Sequence, residues 1–241
     1  MKDHYKINWS ARSHNYIPSE LKIAQKIMKF ADPLTKGKYL MKFEKDFKKY
    51  LNTKGAVFGV TSAASAIELT AASLNLKPGD EIIVPAHTYC ASALPFTRYR
   101  VKIKWVDIDL NTMLLSVNHL KKLIGKKTKA VVAVHLYGQP ANIIDIKKIF
   151  KKKRIVLVED CAQALGAKIK NRKVGTFGDF SIFSLHAQKN ITTLGEGGIL
   201  VVNNKKYQKF IPGLRHNGHR KFSKKKNYWK PAMVDVCQDI K

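Results

Sequence analysis

Asp179–Val202 reads DFSIFSLHAQKNITTLGEGGILVV. Two apolar runs, Phe180–Leu185 and Ile199–Val202, flank a polar loop that closes on the glycine-rich Gly195–Gly198. Short runs of Ile, Val and Phe bounded by turn residues predict buried strands. The glycines permit the tight turn that returns the chain to a sheet. Lys189 lies in the loop between them. Lysines are mostly solvated surface groups, so one held between two buried strands has to be weighed with its neighbours.

Runs of the same kind recur on both sides. Candidate strands are Ala56–Val60, Glu81–Pro85, Lys102–Ile108, Ala130–His135 and Ile155–Asp160. Helical patterns separate them at Ser62–Leu74, Val117–Ile124 and Ile143–Lys152. Two more precede the first strand, Ser19–Phe30 and Lys42–Leu51, and one follows the last, Lys205–Leu214. Apolar strands alternating with helices predict an α/β fold, a mainly parallel seven-stranded sheet with helices on both faces.

Ligands of open parallel sheets sit beyond the carboxyl ends of the strands. Four groups are expected there. Ser62, Ala63, Ala64 and Ser65 follow the first strand: Ser62 is placed to cap a helix, and the small residues leave N–H groups open to an anion. Tyr89 follows the second strand. Glu159 and Asp160 end the fifth, Ser184 lies near the end of the sixth, and Lys189 follows it. A carboxylate at the end of an apolar strand needs a partner, such as a protonated ring nitrogen, a structural ion pair or a helix cap. A lysine amine forms a Schiff base with an aldehyde when desolvation or nearby cations favour it.

Composition sets the outer limits. The 241 residues are 45% hydrophobic, enough for one large core. The net charge of +28 invites a nucleic-acid hypothesis. However, the excess is mostly lysine spread along the chain, densest at 151–153 and 224–226, without the arginine forks and interleaved aromatics of nucleic-acid sites. No run approaches the ~20 apolar residues of a membrane helix. The N-terminal stretch lacks the apolar block of a secretory signal, so a cytoplasmic location is expected. Cys90, Cys161 and Cys237 are far apart, predicting reduced thiols and no metal site.

The motifs LTKGKYLMKFEKDFKKYL, KPGDEIIVPAHTYCAS, VDIDLNTM, VHLYGQPANI, VEDCAQALGA, VGTFGDFSIFSLHAQKNITTLGEGGILVV and LRHNGH occur in this order. The run from about Thr35 to Pro231 that carries them resembles the DegT/DnrJ/EryC1/StrS family of sugar aminotransferases, pyridoxal-phosphate enzymes of the aspartate-aminotransferase fold. The resemblance implies pyridoxal 5'-phosphate as cofactor and transamination of a nucleotide-linked keto sugar, with glutamate as amino donor and a homodimer as the working unit. It implies a covalent cofactor link and a proton shuttle at Lys189. Asp160 would face the ring nitrogen, Gln163 the phenolic oxygen and Tyr89 the ring face, with Ser184 on the phosphate. The family's glycine–threonine phosphate turn falls on Ala63-Ala64, so its threonine hydroxyl is absent; backbone donors and Ser65 are expected to serve instead. Related sugar dehydratases carry histidine where this chain has Lys189. His135 and His186 are expected to be structural.

The resemblance also implies domains: an N-terminal arm and helix over 1–34, a cofactor-binding large domain over 35–214, and over 215–241 the start of a linker to a small C-terminal domain that this sequence lacks. The apolar surface left by that absence, with Trp229–Met233 a candidate, would invite aggregation or partner binding. Three alternatives stay open at this point: a fragment of an ordinary enzyme, half of a split one, or a non-catalytic basic binding protein.

Overall fold

A computed structural model describes residues 16–31, 33, 37–150 and 153–216. Expectations for the arm before Tyr16, for Lys151 and Lys152, for the linker beyond His216 with its lysine run, for Trp229–Met233 and for Cys237 fall outside the described residues.

Seven strands form one sheet: β1 (Ala56–Val60), β2 (Glu81–Pro85), β3 (Lys102–Val106), β4 (Thr128–Val134), β5 (Val156–Asp160), β8 (Phe180–Ser184) and β9 (Gly198–Val202). Their spatial order is β1-β9-β8-β5-β4-β2-β3. The sheet is mainly parallel, as expected; β9 alone runs antiparallel to both its neighbours. A two-stranded hairpin, β6 (Lys168–Ile169) with β7 (Arg172–Lys173), stands apart from it and was not predicted.

Helices cover both faces. Those described are α1 (Pro18–Phe30), α2 (Lys38–Leu51), α3 (Ala63–Ser73), α4 (Leu94–Thr97), α5 (Val117–Leu123), α6 (Ile143–Phe150), α7 (Lys205–Gln208) and α8 (Ile211–Leu214). Helix α2 starts four residues before the expected Lys42, because Gly37 serves as its N-cap. Phe43, Phe47 and Leu51, spaced by four, face the sheet, and the Phe47 ring meets Phe183 edge-on at 5.2 Å. The single helix expected over Lys205–Leu214 is two, and Pro212, in the first turn of α8, lacks the N–H that an unbroken helix would use. Helix α1 buries none of its residues. No helix among the described residues is long and apolar enough to cross a membrane.

The strand period of two divides the core. Val158, Ile182 and Leu200 face α3 and α8. Leu157 faces α5 and α6, while Phe183, Ile199 and Val201 pack under α2. Val158, Ile182 and Leu200 are each 0% exposed, and burying such a side chain stabilises by about 1.5–3 kcal/mol. The same alternation sends the neighbouring carboxylates at the end of β5 to opposite faces.

Candidate active site

Strand register places the predicted groups along one edge. Val60 pairs with Gly198, and Gly198 pairs with Ser184. Asp160 pairs with Ile182 on one side and Val134 on the other. The N-terminus of α3, Ser184, the end of β5 and the turn after β4 therefore follow one another at steps of about 4.8 Å per strand.

At the start of α3, the Ser62 hydroxyl accepts the Ser65 N–H at 3.0 Å. The Ser65 hydroxyl lies 2.8 Å from that of Thr61 and 3.0 Å from that of Ser62. Both polar groups of Ser65 are thus engaged within the cap. The Ala63 and Ala64 N–H groups open the helix, where no preceding turn supplies an acceptor. With the helix dipole they form a seat for an anion. Gly198 makes the approach possible: a Cβ there would lie 2.4 Å from the Ser62 carbonyl carbon and 2.6 Å from Ala63 N.

Asp160 is 6% exposed. Its Oδ2 accepts the Ser92 hydroxyl at 2.7 Å, and its Oδ1 accepts the Ala162 N–H at 3.0 Å. Each oxygen keeps a lone pair for a further donor. Gln163 sits one turn further on. Its Oε1 accepts the Tyr137 N–H at 3.1 Å, which leaves the side-chain NH2 as the end available to an oxyanion. Tyr137 presents that N–H from a left-handed conformation, φ 52°, in the 3-10 turn Leu136–Gly138. Such a backbone is uncommon for a non-glycine residue and marks a constrained position.

Tyr89 projects a ring that is 72% exposed. Ser184 is half-buried at the end of β8, and its hydroxyl accepts the His186 N–H at 3.3 Å. Lys189 is also half-buried, and its N–H bonds to the His186 carbonyl at 2.9 Å. His186 lies 3.4 Å from Glu196 and accepts the Gln188 N–H, so it braces the loop. The edge thus combines an anion seat, an oriented carboxylate, an amide donor, an open aromatic face and an amine.

Directly behind the site lies a second cluster. His135, Glu159 and Cys161 are buried, with potential ligand atoms within 4.8 Å of one another. Sequence spacing did not reveal this grouping. Hydrogen bonds account for it. The Glu159 carboxylate accepts from His135 Nε2, the N–H groups of Gly175, Phe177 and Gly178, and the Ser181 hydroxyl. His135 Nδ1 accepts the Ala141 N–H, so the ring proton resides on Nε2 and points at Glu159. Burial pushes the Glu159 carboxyl up, but the His135 hydrogen bond and the glycine N–H groups outweigh it and hold the carboxyl below its ordinary value. Burial, then the charges of Glu159 and Asp160, push the Cys161 thiol well up, away from the thiolate a metal requires.

Comparison with known proteins agrees with this architecture. The chain is 40% identical to GDP-perosamine synthase of Vibrio cholerae over 169 residues, 70% of this chain and 46% of that protein. It is 34% identical to GDP-4-keto-6-deoxy-D-mannose 3-dehydratase of Escherichia coli O55:H7, over 92% of this chain and 58% of the relative. A solved structure of the E. coli dehydratase with bound hydrated PLP superposes with a TM-score of 0.82 at 32% identity, covering 93% of this chain and 58% of that one. The chain spans about half the length of the curated relatives it matches. The family model of the DegT/DnrJ/EryC1/StrS aminotransferases matches residues 18–236, and with the fold and the order of its motifs this establishes that the chain belongs to that family.

Proposed function

We propose that this chain carries the cofactor-binding half of a pyridoxal-phosphate-dependent aminotransferase acting on a nucleotide-linked keto sugar, with glutamate as amino donor. The large domain would span 35–214, and a homodimer would be the working unit. The observation that carries the reading is the alignment along one sheet edge of the α3 N-terminus, Ser184, Asp160 and the Lys189 loop. Relatives include both a perosamine synthase and a dehydratase. Lysine at position 189, where the dehydratases of the family carry histidine, favours transamination.

The residues present fit the cofactor. The Ala63 and Ala64 N–H groups and the Ser184 hydroxyl would take the phosphate. In place of the missing threonine hydroxyl, Ser65 would serve by accepting from Thr61 and Ser62 and turning its own proton to the phosphate. Asp160 would hold the proton on the ring nitrogen, and the Gln163 NH2 would donate to the phenolic oxygen. Tyr89 would lie on the ring face and exclude water from it. When bound, pyridoxal phosphate supplies an aldehyde that captures amines and a ring that draws off an electron pair. Lys189 would anchor that aldehyde, then move a proton between the substrate α-carbon and cofactor C4′ as general base and acid.

Borohydride reduction of the chain mixed with pyridoxal phosphate, followed by peptide mapping, tests the reading. A pyridoxyl group is expected on Lys189 and is expected to vanish in Lys189→Ala. Labelling scattered over surface lysines would overturn it. Amino transfer from glutamate to a panel of GDP-, UDP- and dTDP-linked keto sugars then tests the substrate class.

A further inference from the structure

Ser92 ends the 3-10 turn Cys90–Ser92 and is 1% exposed. Its Oγ lies 2.7 Å from Asp160 Oδ2 and 2.8 Å from Thr88 Oγ1. A serine hydroxyl has one proton. An ionised carboxylate has none to give, so the Ser92 proton points at Asp160 and Ser92 Oγ receives the proton of Thr88. The direction of the relay is therefore fixed: Thr88 to Ser92 to Asp160. The Ala162 N–H holds the other carboxylate oxygen, so the plane of Asp160 is set from both sides.

The relay also joins two distant parts of the edge. Thr88 precedes Tyr89, and the Ser92 N–H returns to the Tyr89 carbonyl at 3.0 Å. The segment that presents the aromatic ring is thereby locked to the carboxylate 68 residues away from Ser92. Ser92 is buried and Thr88 is half-buried, so the Ser92 hydroxyl is not an ordinary surface group.

We propose that Ser92, supported by Thr88, is a positioning residue that fixes Asp160 and Tyr89 relative to each other. This rests on the reading of the edge as a pyridoxal-phosphate site. Without the Ser92 hydroxyl, Asp160 loses one of its two anchors and Thr88 loses its acceptor. A cofactor ring stacked on Tyr89 would then meet, at its nitrogen, a carboxylate anchored only by the Ala162 N–H.

The test is a double-mutant cycle on the whole 241-residue chain, read as pyridoxal-phosphate affinity from the absorbance of the bound cofactor, with urea unfolding of each variant recorded without it. Ser92→Ala is expected to weaken binding roughly tenfold, as for loss of one hydrogen bond to a charged group. In an Asp160→Asn background the same change is expected to alter affinity less than about twofold, since the relay then has no carboxylate to orient. Thr88→Val, at a less buried position, is expected to follow the same pattern with a smaller loss, and it serves if Ser92→Ala does not fold. Equal weakening in both backgrounds would mean a purely structural serine and overturn the proposal, as would wild-type affinity in Ser92→Ala. In either case wild-type binding leaves the cofactor reading standing. If the wild-type chain takes up no cofactor, that reading falls, and this inference with it.

Discussion

Glu159 and Asp160 are consecutive carboxylates at the end of one strand, yet they occupy opposite situations. Glu159 is 0% exposed, and five donors reach its two oxygens. Nothing is left on it for a ligand. Asp160, on the other face, accepts from two donors, and each of its oxygens keeps a lone pair at the carboxyl end of β5. Saturation marks a group that holds the fold, and incomplete saturation with fixed orientation marks a group ready for a partner. Gly175 belongs to the first situation: its φ of +87° and its contact with the Phe183 ring, 2.3 Å from where a Cβ would lie, bring its N–H to Glu159.

The comparison breaks most visibly on stability. Glu159→Ala strands five buried donors, and each buried donor left unsatisfied costs about 1–3 kcal/mol, so a loss of several kcal/mol is expected. Asp160→Asn keeps its shape and one acceptor oxygen, so its expected cost is about 1 kcal/mol or less. Urea unfolding without cofactor measures both, and equal losses would erase the distinction.

Cofactor affinity should invert the order. On the proposed reading, removing the charge of Asp160 would take away one partner of a hydrogen-bonded ion pair with the cofactor's ring nitrogen, worth about 2–5 kcal/mol, or a roughly 30-fold or greater loss. Glu159→Gln is expected to bind pyridoxal phosphate close to normally wherever it remains folded. Gly198→Ala attacks the other end of the site. Its Cβ would press on backbone atoms of Ser62 and Ala63, an overpacking of about 1–3 kcal/mol. Binding of pyridoxal phosphate should weaken more than binding of pyridoxal, which has no phosphate to seat; equal weakening would argue against the α3 seat.

Acid separates the carboxylates more gently. The Glu159 carboxyl lies below its ordinary 4.5 in the folded chain. A group lowered on folding gives stability that is present above its unfolded value and lost as pH falls through the folded one. Stability should therefore fall below about pH 4.5, more steeply in the wild type than in Glu159→Gln. Parallel acid curves would mean that Glu159 is not the group responsible.

Much of this was legible in the residues. Apolar runs predicted all seven strands of the sheet; the interior strands are buried on both faces and need uninterrupted apolar residues, whereas the edge strand β3, KIKWV, carries lysines and is buried only at Val106. Ser62, Asp160, Ser184 and Lys189 were visible because strand ends gather at one edge whatever their separation in sequence. The hairpin at Lys168–Lys173 was not visible, since its strands are two residues each and half-exposed. Nor was the direction of β9, which follows from a tight glycine loop rather than from its own composition. The roles of Glu159 and Ser92 depend on contacts from residues 16 to 24 and 68 positions away, which no local pattern encodes.

The smallest effect concerns Cys161, next along the chain and on the Glu159 side. Burial is the largest influence pushing its thiol up, followed by the charges of Glu159 and Asp160. The thiolate is the reactive form, so alkylation of the folded chain at pH 8 should reach Cys90, which is exposed, far faster than Cys161. Peptide mapping distinguishes the two sites. Because burial outranks charge, Glu159→Gln should leave Cys161 protected while the chain stays folded, and urea should release it. Rapid labelling of Cys161 in folded Glu159→Gln would reverse that order, showing that the charge of Glu159, and not the packing around it, keeps the thiol silent.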